Sequence, residues 1–359
     1  HTSNSKKIFV LCDPPLSSKA DQLVSELSKN GREFLVSTNV IPEPPIETLQ
    51  ELLIPVAEFA PDTIVGIGGG SAMDLAKLVA VLFDGKQKIS DIIGIGNVKK
   101  RKVKLITIAT TAGTGSEVTP IAILTDTQNK LKKGVVSPLI IPDVAIIDPM
   151  LTISVPPEVT AATGLDALTH CIEAYTNKFS HPIIDNIVKE GINLIGNNLE
   201  MAVNDGENIE ARTAVALGSL YGGMALGSVN TAGVHALAYP LGGEFKIPHG
   251  VANSVLLPYV MNFNSNSCME KYANIGKMLG VSSSSLEDAA QQAVFKVMEI
   301  SQKCKIPKTL AQLDIPESAI ENMAKSAMLV TRLLANNPKI INFEDAKEIY
   351  TNAFHGTLH

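Results

Sequence analysis

The sequence has 359 residues, 45% hydrophobic and 18% charged, with a formal net charge of -6. That balance describes a folded chain rather than a disordered one, and the length exceeds what one hydrophobic core usually supports, so two domains are expected. The longest basic run is Lys99, Lys100, Arg101 and Lys102, too short for a nucleic-acid footprint and expected to be a solvated loop.

The polar opening His1-Thr2-Ser3-Asn4-Ser5 leads into an apolar run with no leader-like stretch or cleavage site, so a cytoplasmic protein is expected. Ile8 to Leu11 reads as a strand, Lys19 to Lys29 as an amphipathic helix and Phe34 to Val36 as a second strand. A helix from Ile46 to Phe59, a buried strand from Thr63 to Ile67, a helix from Ala72 to Phe83 and strands at Leu105 to Ile108 and Val144 to Ile147 continue the series. Such alternation predicts a mainly parallel sheet covered on both faces, a Rossmann-like α/β domain over residues 1–152. The most apolar stretch, Thr63 to Phe83, is broken by glycines, Asp74 and Lys77, so no membrane span is expected.

Past the breakers Asp148-Pro149 and Val155-Pro156-Pro157 the apolar spacing lengthens, with helical patterns at Thr160 to Tyr175, Ile183 to Leu199, Ile209 to Met224 and Leu286 to Lys303. Residues 153–359 therefore read as an all-α domain. Cys12, Cys171, Cys268 and Cys304 form no Cys-x-x-Cys pair, which argues against a disulfide framework and a thiolate zinc site.

Gly66-Ile67-Gly68-Gly69-Gly70-Ser71 ends one predicted strand and opens the helix bearing Asp74 and Lys77. Backbone amides there can face an anion, glycine lets a phosphate approach, and Ser71 can act as N-cap or phosphate donor. The turn departs from the usual dinucleotide fingerprint, because Ser71 stands where a further glycine belongs, and alone it reads equally as a ligand-free strand-to-helix turn. A second turn, Thr110-Thr111-Ala112-Gly113-Thr114-Gly115-Ser116-Glu117, follows another strand. Two such turns at parallel strand ends favour one phosphate-bearing ligand lying across them.

Asp166 and His170 are four residues apart in a helical pattern, which places them on one helix face. His235 and His249 follow, the latter in the loop-like Ile247-Pro248-His249-Gly250. Any one of these histidines reads as a hydrogen-bonded core residue; together with the aspartate they make a nitrogen and oxygen donor set suited to Fe(II) or Zn(II). His1, His181, His355 and His359, near the termini or in a predicted loop, are not expected to bind metal.

These marks, from Gly68-Gly69-Gly70-Ser71 through Thr110 to Glu117, Thr163 to Glu173 and His235 to Asn253, resemble the iron-containing (group III) alcohol dehydrogenases, a family that includes lactaldehyde reductase and 1,3-propanediol dehydrogenase. The resemblance spans nearly the whole chain and implies a dehydroquinate synthase-like architecture. It implies metal ligation by Asp166, His170, His235 and His249, pyrophosphate contacts from Gly69, Gly70 and Ser71, and a cofactor cleft lined by Thr110, Thr111 and Thr114. Lys132 matches a cofactor-contacting lysine and Asp13 an aspartate facing the adenosine ribose. A carboxylate there repels a 2′-phosphate, so NAD is expected over NADP.

Many members carry a second histidine four residues after the third ligand for proton transfer, where this chain has Tyr239, either a relay or a packing residue, with packing favoured. The family also carries about thirty residues, including a strand and glycine turn, ahead of the segment that begins here at Lys6. The implied activity is hydride transfer between a small primary alcohol or diol and its aldehyde, the metal polarising the substrate oxygen, in a homodimer. The residues also admit a same-fold glycerol dehydrogenase, a dehydroquinate synthase-like lyase, or a nucleotide-binding protein without turnover; the scarcity of Arg and Lys around the four ligands disfavours the lyase.

Overall fold

The structure, a computed structural model, describes residues 5–29, 31–128 and 131–358, so His1 and His359 lie outside the described residues. One compact unit holds the chain up to Thr111 and Gly115–Leu151; the other holds Ala112–Thr114 and the residues from Thr152 onward.

In the first unit the chain forms β1 (Lys7–Cys12), α1 (Ser17–Ser28), β2 (Glu33–Ser37), α2 (Ile46–Phe59), β3 (Thr63–Gly68), α3 (Gly70–Leu82), α4 (Ile89–Ile92), β4 (Gly94–Ile95), β5 (Lys104–Ala109), β6 (Ile121–Asp126), β7 (Leu131–Val136) and β8 (Val144–Ile147). Five strands pair in parallel in the order β2-β1-β3-β5-β8. Strand alternation explains why both faces are covered. Ile8, Val10 and Cys12 of β1 pack with Leu16 and Ala20 on the α1 side, while Phe9 and Leu11 pack with Leu49, Leu52, Leu75 and Leu78 from α2 and α3. The chain leaves β1 toward one edge and β3 toward the other, so the carboxyl ends of β1 and β3 form the topological switch point at which open α/β sheets bind ligands.

A smaller sheet, β4-β7-β6, has no counterpart in the sequence reading. Among the described residues the two strands of its hairpin bury only Ala122, Leu124 and Val135, so its apolar alternation is weak. The basic run is a loop, as expected, and solvated at Lys99, Lys100 and Lys102, but Arg101 is not. Arg101 forks onto the Asp143 carboxylate and donates to the carbonyls of Leu139 and Ile141, and Lys102 pairs with Asp84. A guanidinium carries enough donors to gather a loop's carbonyls, which local sequence does not reveal.

The second unit is helical: α5 (Pro157–Thr176), α6 (Pro182–Asn204), α7 (Ile209–Leu226), α8 (Gly233–Phe245), α9 (His249–Asn264), α10 (Met269–Met278), α11 (Leu286–Lys303), α12 (Ile320–Ala327), α13 (Thr331–Leu334) and α14 (Phe343–His355). Helix α5 is its axis. Every residue from Gly164 to Thr176 is buried, so the polar side chains of that stretch must find partners inside the protein. Among the described residues no helix is long and apolar enough to cross a membrane.

Candidate metal centre and nucleotide turn

Asp166 and His170 lie one turn apart on α5, with His170 Nε2 3.8 Å from Asp166 Oδ1. His235 enters from the first turn of α8, its Nε2 3.6 Å from the same oxygen, and His249 Nε2 stands 3.8 Å from it. His249 is not in a loop. It is the first residue of α9, behind Pro248 at the N-cap, whose fixed φ suits a helix entry. Helix α8 ends on Lys246 in the left-handed region (φ 60°), and this corner returns the chain so that His249 meets Asp166.

One carboxylate oxygen thus faces three imidazole nitrogens. The edge of a tetrahedral shell with bonds of about 2.1 Å is about 3.4 Å, so the three separations and the donor chemistry fit a divalent metal. Asp166, His170 and His235 offer ligand atoms within 4.8 Å of one another. They are buried, whereas the His249 side chain is 41% exposed, making its side the open one.

Two further residues belong to this centre and were not singled out from sequence. Glu173 Oε2 accepts from His235 Nδ1 at 2.6 Å. Asn253, fully buried, places Nδ2 2.7 Å from Asp166 Oδ1 and 3.0 and 3.1 Å from Nε2 of His235 and His249, while its own Oδ1 has no partner. Both carried a signal: Glu173 follows His170 by three residues and Asn253 follows His249 by four, the spacings that share a helix face.

Electrostatics separate three of these groups. Burial opposes the Asp166 carboxylate, yet His170, His249 and His235 outweigh it and hold the group well below the usual carboxylate range. Burial pushes His170 down to about 4. It works the same way on His235, but Glu173 and Asp166 prevail and lift that imidazole to about 9.

Tyr239 sits one turn beyond His235 on α8 and packs against the helical core with Phe245. Burial raises its phenol above the ordinary range, with Arg332 opposing.

In the sheet unit, Gly69 is the N-cap of α3 and its N–H donates to Asp13 Oδ2 at 2.7 Å. Asp13 and this turn therefore occupy the β1/β3 switch point. Gly68 has φ 152°, and a side chain there would run into the Asp13 carboxylate and Ala72. Ser71 is not the N-cap: α3 starts earlier than its apolar pattern suggests, and Ser71 Oγ accepts from the Glu43 N–H. The Thr110 N–H donates to the Gly68 carbonyl, and Thr111 lies beside Gly69. Thr114 groups with the helical unit. Lys132 Nζ pairs with Glu43 at 2.7 Å and donates to Thr125 Oγ1.

Helix α3 is tied to the second turn by Lys77, a lysine with 0% exposure that donates to Ser116 Oγ, Thr119 Oγ1 and the Ile121 carbonyl. Asp74 accepts from Ser116 Oγ and the Ile123 N–H. Burial lowers Lys77 to about 8, although Asp74 and Glu117 pull it upward.

Comparison with known proteins agrees with this architecture. The crystal structure of a 1,3-propanediol oxidoreductase superposes with a TM-score of 0.94 at 35% identity, covering 98% of this chain and 92% of that one. The alcohol dehydrogenase from Oenococcus oeni gives 0.94 at 32% identity, covering 98% and 93%. In sequence, long-chain-alcohol dehydrogenase 1 of Geobacillus thermodenitrificans is 43% identical over 361 residues, 99% of this chain and 91% of the relative. The 1,3-propanediol dehydrogenase of Klebsiella pneumoniae is 36% identical over 97% of this chain and 92% of its own length. Residues 1–149 match the family described as iron-containing alcohol dehydrogenase, and residues 160–354 match the C-terminal part of the Fe-containing alcohol dehydrogenase family. With the parallel-sheet unit, the helical unit and the histidine and aspartate cluster in place, the chain belongs to the iron-containing alcohol dehydrogenase family.

Proposed function

We propose that the protein interconverts a small primary alcohol or diol and its aldehyde, using NAD in preference to NADP and a divalent metal, Fe(II) first and Zn(II) as the alternative, held by Asp166, His170, His235 and His249. The observation that carries this reading is the convergence of three imidazole nitrogens within 3.8 Å of one buried carboxylate oxygen. When bound, the metal supplies Lewis-acid polarisation of the substrate oxygen and the nicotinamide exchanges hydride. One carboxylate with three neutral imidazoles leaves half of a dication's charge uncompensated, which favours an anionic oxygen on the substrate.

The chain's own groups do the rest. The exposed side of His249 is where substrate enters, and the packed wall of α8, with Tyr239 and Phe245, shapes the pocket. Tyr239 packs rather than relays, since its raised phenol is a poor source of protons; turnover retained in Tyr239→Phe checks this. The first-turn amides of α3 at Gly70 and Ser71, which lack intrahelical acceptors, suit pyrophosphate. Thr110, Thr111 and Thr114 would line the cofactor site, and Lys132 would have to share its charge with Glu43. Asp13 gives Oδ2 to Gly69, leaving Oδ1 for a ribose hydroxyl. The four cysteines, none paired, suit a reducing cytoplasm, and a homodimer is the assembly proposed.

The test is anaerobic purification, measurement of bound metal, and NADH absorbance with a panel of small alcohols and aldehydes. Metal in near-unit stoichiometry with turnover is expected. No metal and no turnover with any of them refutes the reading.

A further inference from the structure

The four proposed ligands leave Glu173, 4% exposed, without a part in holding the metal. A buried carboxylate is costly unless strongly hydrogen-bonded. Glu173 meets that condition with both oxygens. Oε2 stands 2.6 Å from His235 Nδ1, and Oε1 accepts from the Val234 N–H at 2.6 Å. Helix α8 has no side-chain cap of its own, so Glu173, reaching over from α5, satisfies a first-turn amide and grips the ring of the next residue.

The chemistry of that grip is directional. A carboxylate only accepts, so Nδ1 of His235 must donate, and in the neutral ring that a metal requires the lone pair lies on Nε2, the atom 3.6 Å from Asp166 Oδ1. His170 has no such support, since its Nδ1 is buried without a hydrogen-bond partner. Along α5 the residues Asp166, His170 and Glu173 lie at helical spacings of four and three, so one helix face supplies two ligands and the group that aligns a third.

We propose that Glu173 is the positioning residue that makes His235 a metal ligand, by fixing its Nδ1–H tautomer and seating the start of α8. The proposal rests on the metal-site reading above. A glutamine cannot substitute, because Val234 N–H and His235 Nδ1–H are both donors and a carboxamide offers one accepting atom. Either an amide is stranded or the imidazole shifts its proton to Nε2 and loses its metal lone pair.

The experiment measures Zn2+ affinity by chelator competition in the parent and in Glu173→Gln, with circular dichroism confirming the fold. Outer partners of metal-bound histidines are typically worth roughly 10- to 100-fold in affinity, and a loss of that size is expected. In a His235→Ala background Glu173→Gln should produce no further loss, because the effect runs through that ring. Independently of any variant, imidazole nitrogen NMR of the Zn2+-loaded parent should show His235 bound through Nε2 with Nδ1 protonated. Unchanged affinity in a folded Glu173→Gln, an additive loss in the double variant, or a His235 bound through Nδ1 overturns the proposal alone. A parent protein that binds no Zn2+ overturns the metal-site reading and this proposal with it.

Discussion

Replacing Gly250 by alanine tests whether close helix packing places His249. On local propensity the change should stabilise α9 by up to about 1 kcal/mol, since alanine is the better helix former. Tertiary packing says the opposite. A Cβ at Gly250 would lie 2.8 Å from the Ala162 carbonyl carbon and closer still to its oxygen, and these are backbone atoms of α5 that cannot rotate away. Restoring ordinary contact requires the start of α9 to retreat by roughly half an ångström or more, and overpacking of this kind costs about 1–3 kcal/mol. The net expectation is a destabilisation on the order of 1 kcal/mol. The functional effect should be larger. Gly250 adjoins His249, and Ala162 lies one helical turn before Asp166, so the retreat widens the 3.8 Å separation between these two ligands. A tenfold or greater loss of metal affinity is expected, given that errors near 1 Å can cost about 100-fold in a positioned site. Urea denaturation of the metal-free protein and chelator competition measure the two effects. A stabilised Gly250→Ala with unchanged metal affinity would refute the reasoning.

Three other outcomes follow from the same geometry. His249→Ala should lose metal and turnover while retaining NAD binding by calorimetry; unchanged turnover would remove His249 from the site. Asp13→Gly should raise the NADP to NAD ratio of kcat/KM and, through loss of the bond to Gly69, lower stability by about 1 kcal/mol; no gain with NADP refutes the role given to Asp13. Burial holds Lys77 at about 8, below its unfolded value, so its charge costs stability below about pH 8 and that cost is relieved as pH rises toward about 10.5. Relative to Lys77→Met, the parent should therefore gain on the order of 3 kcal/mol between about pH 7 and about pH 10.5 in urea melts, whereas a pH-independent difference contradicts this account.

The sequence by itself determined what short-range periodicity controls. The strands at Ile8 to Leu11 and Val144 to Ile147, the helix from Ile46 to Phe59, and the pairing of Asp166 with His170 on one face all follow from repeats of two or 3.6 residues. The histidines became a candidate site because an aspartate and three imidazoles are an unusual donor set, which is chemistry of composition and not of contact.

The tertiary structure alone decided the rest, because the deciding partners are far apart along the chain. Glu173 acquires its meaning from Val234 and His235, Asn253 from Asp166, and Lys77 from Ser116 and Ile121. His249 looked like a loop residue until Pro248 proved to open a helix, and Arg101 looked solvated until Asp143 and two carbonyls closed around it. Periodicity shows which face of a helix is buried; what that face meets depends on how distant helices and strands approach, and for the buried polar groups here that meeting decides their hydrogen bonds, their charge and the chemistry they support.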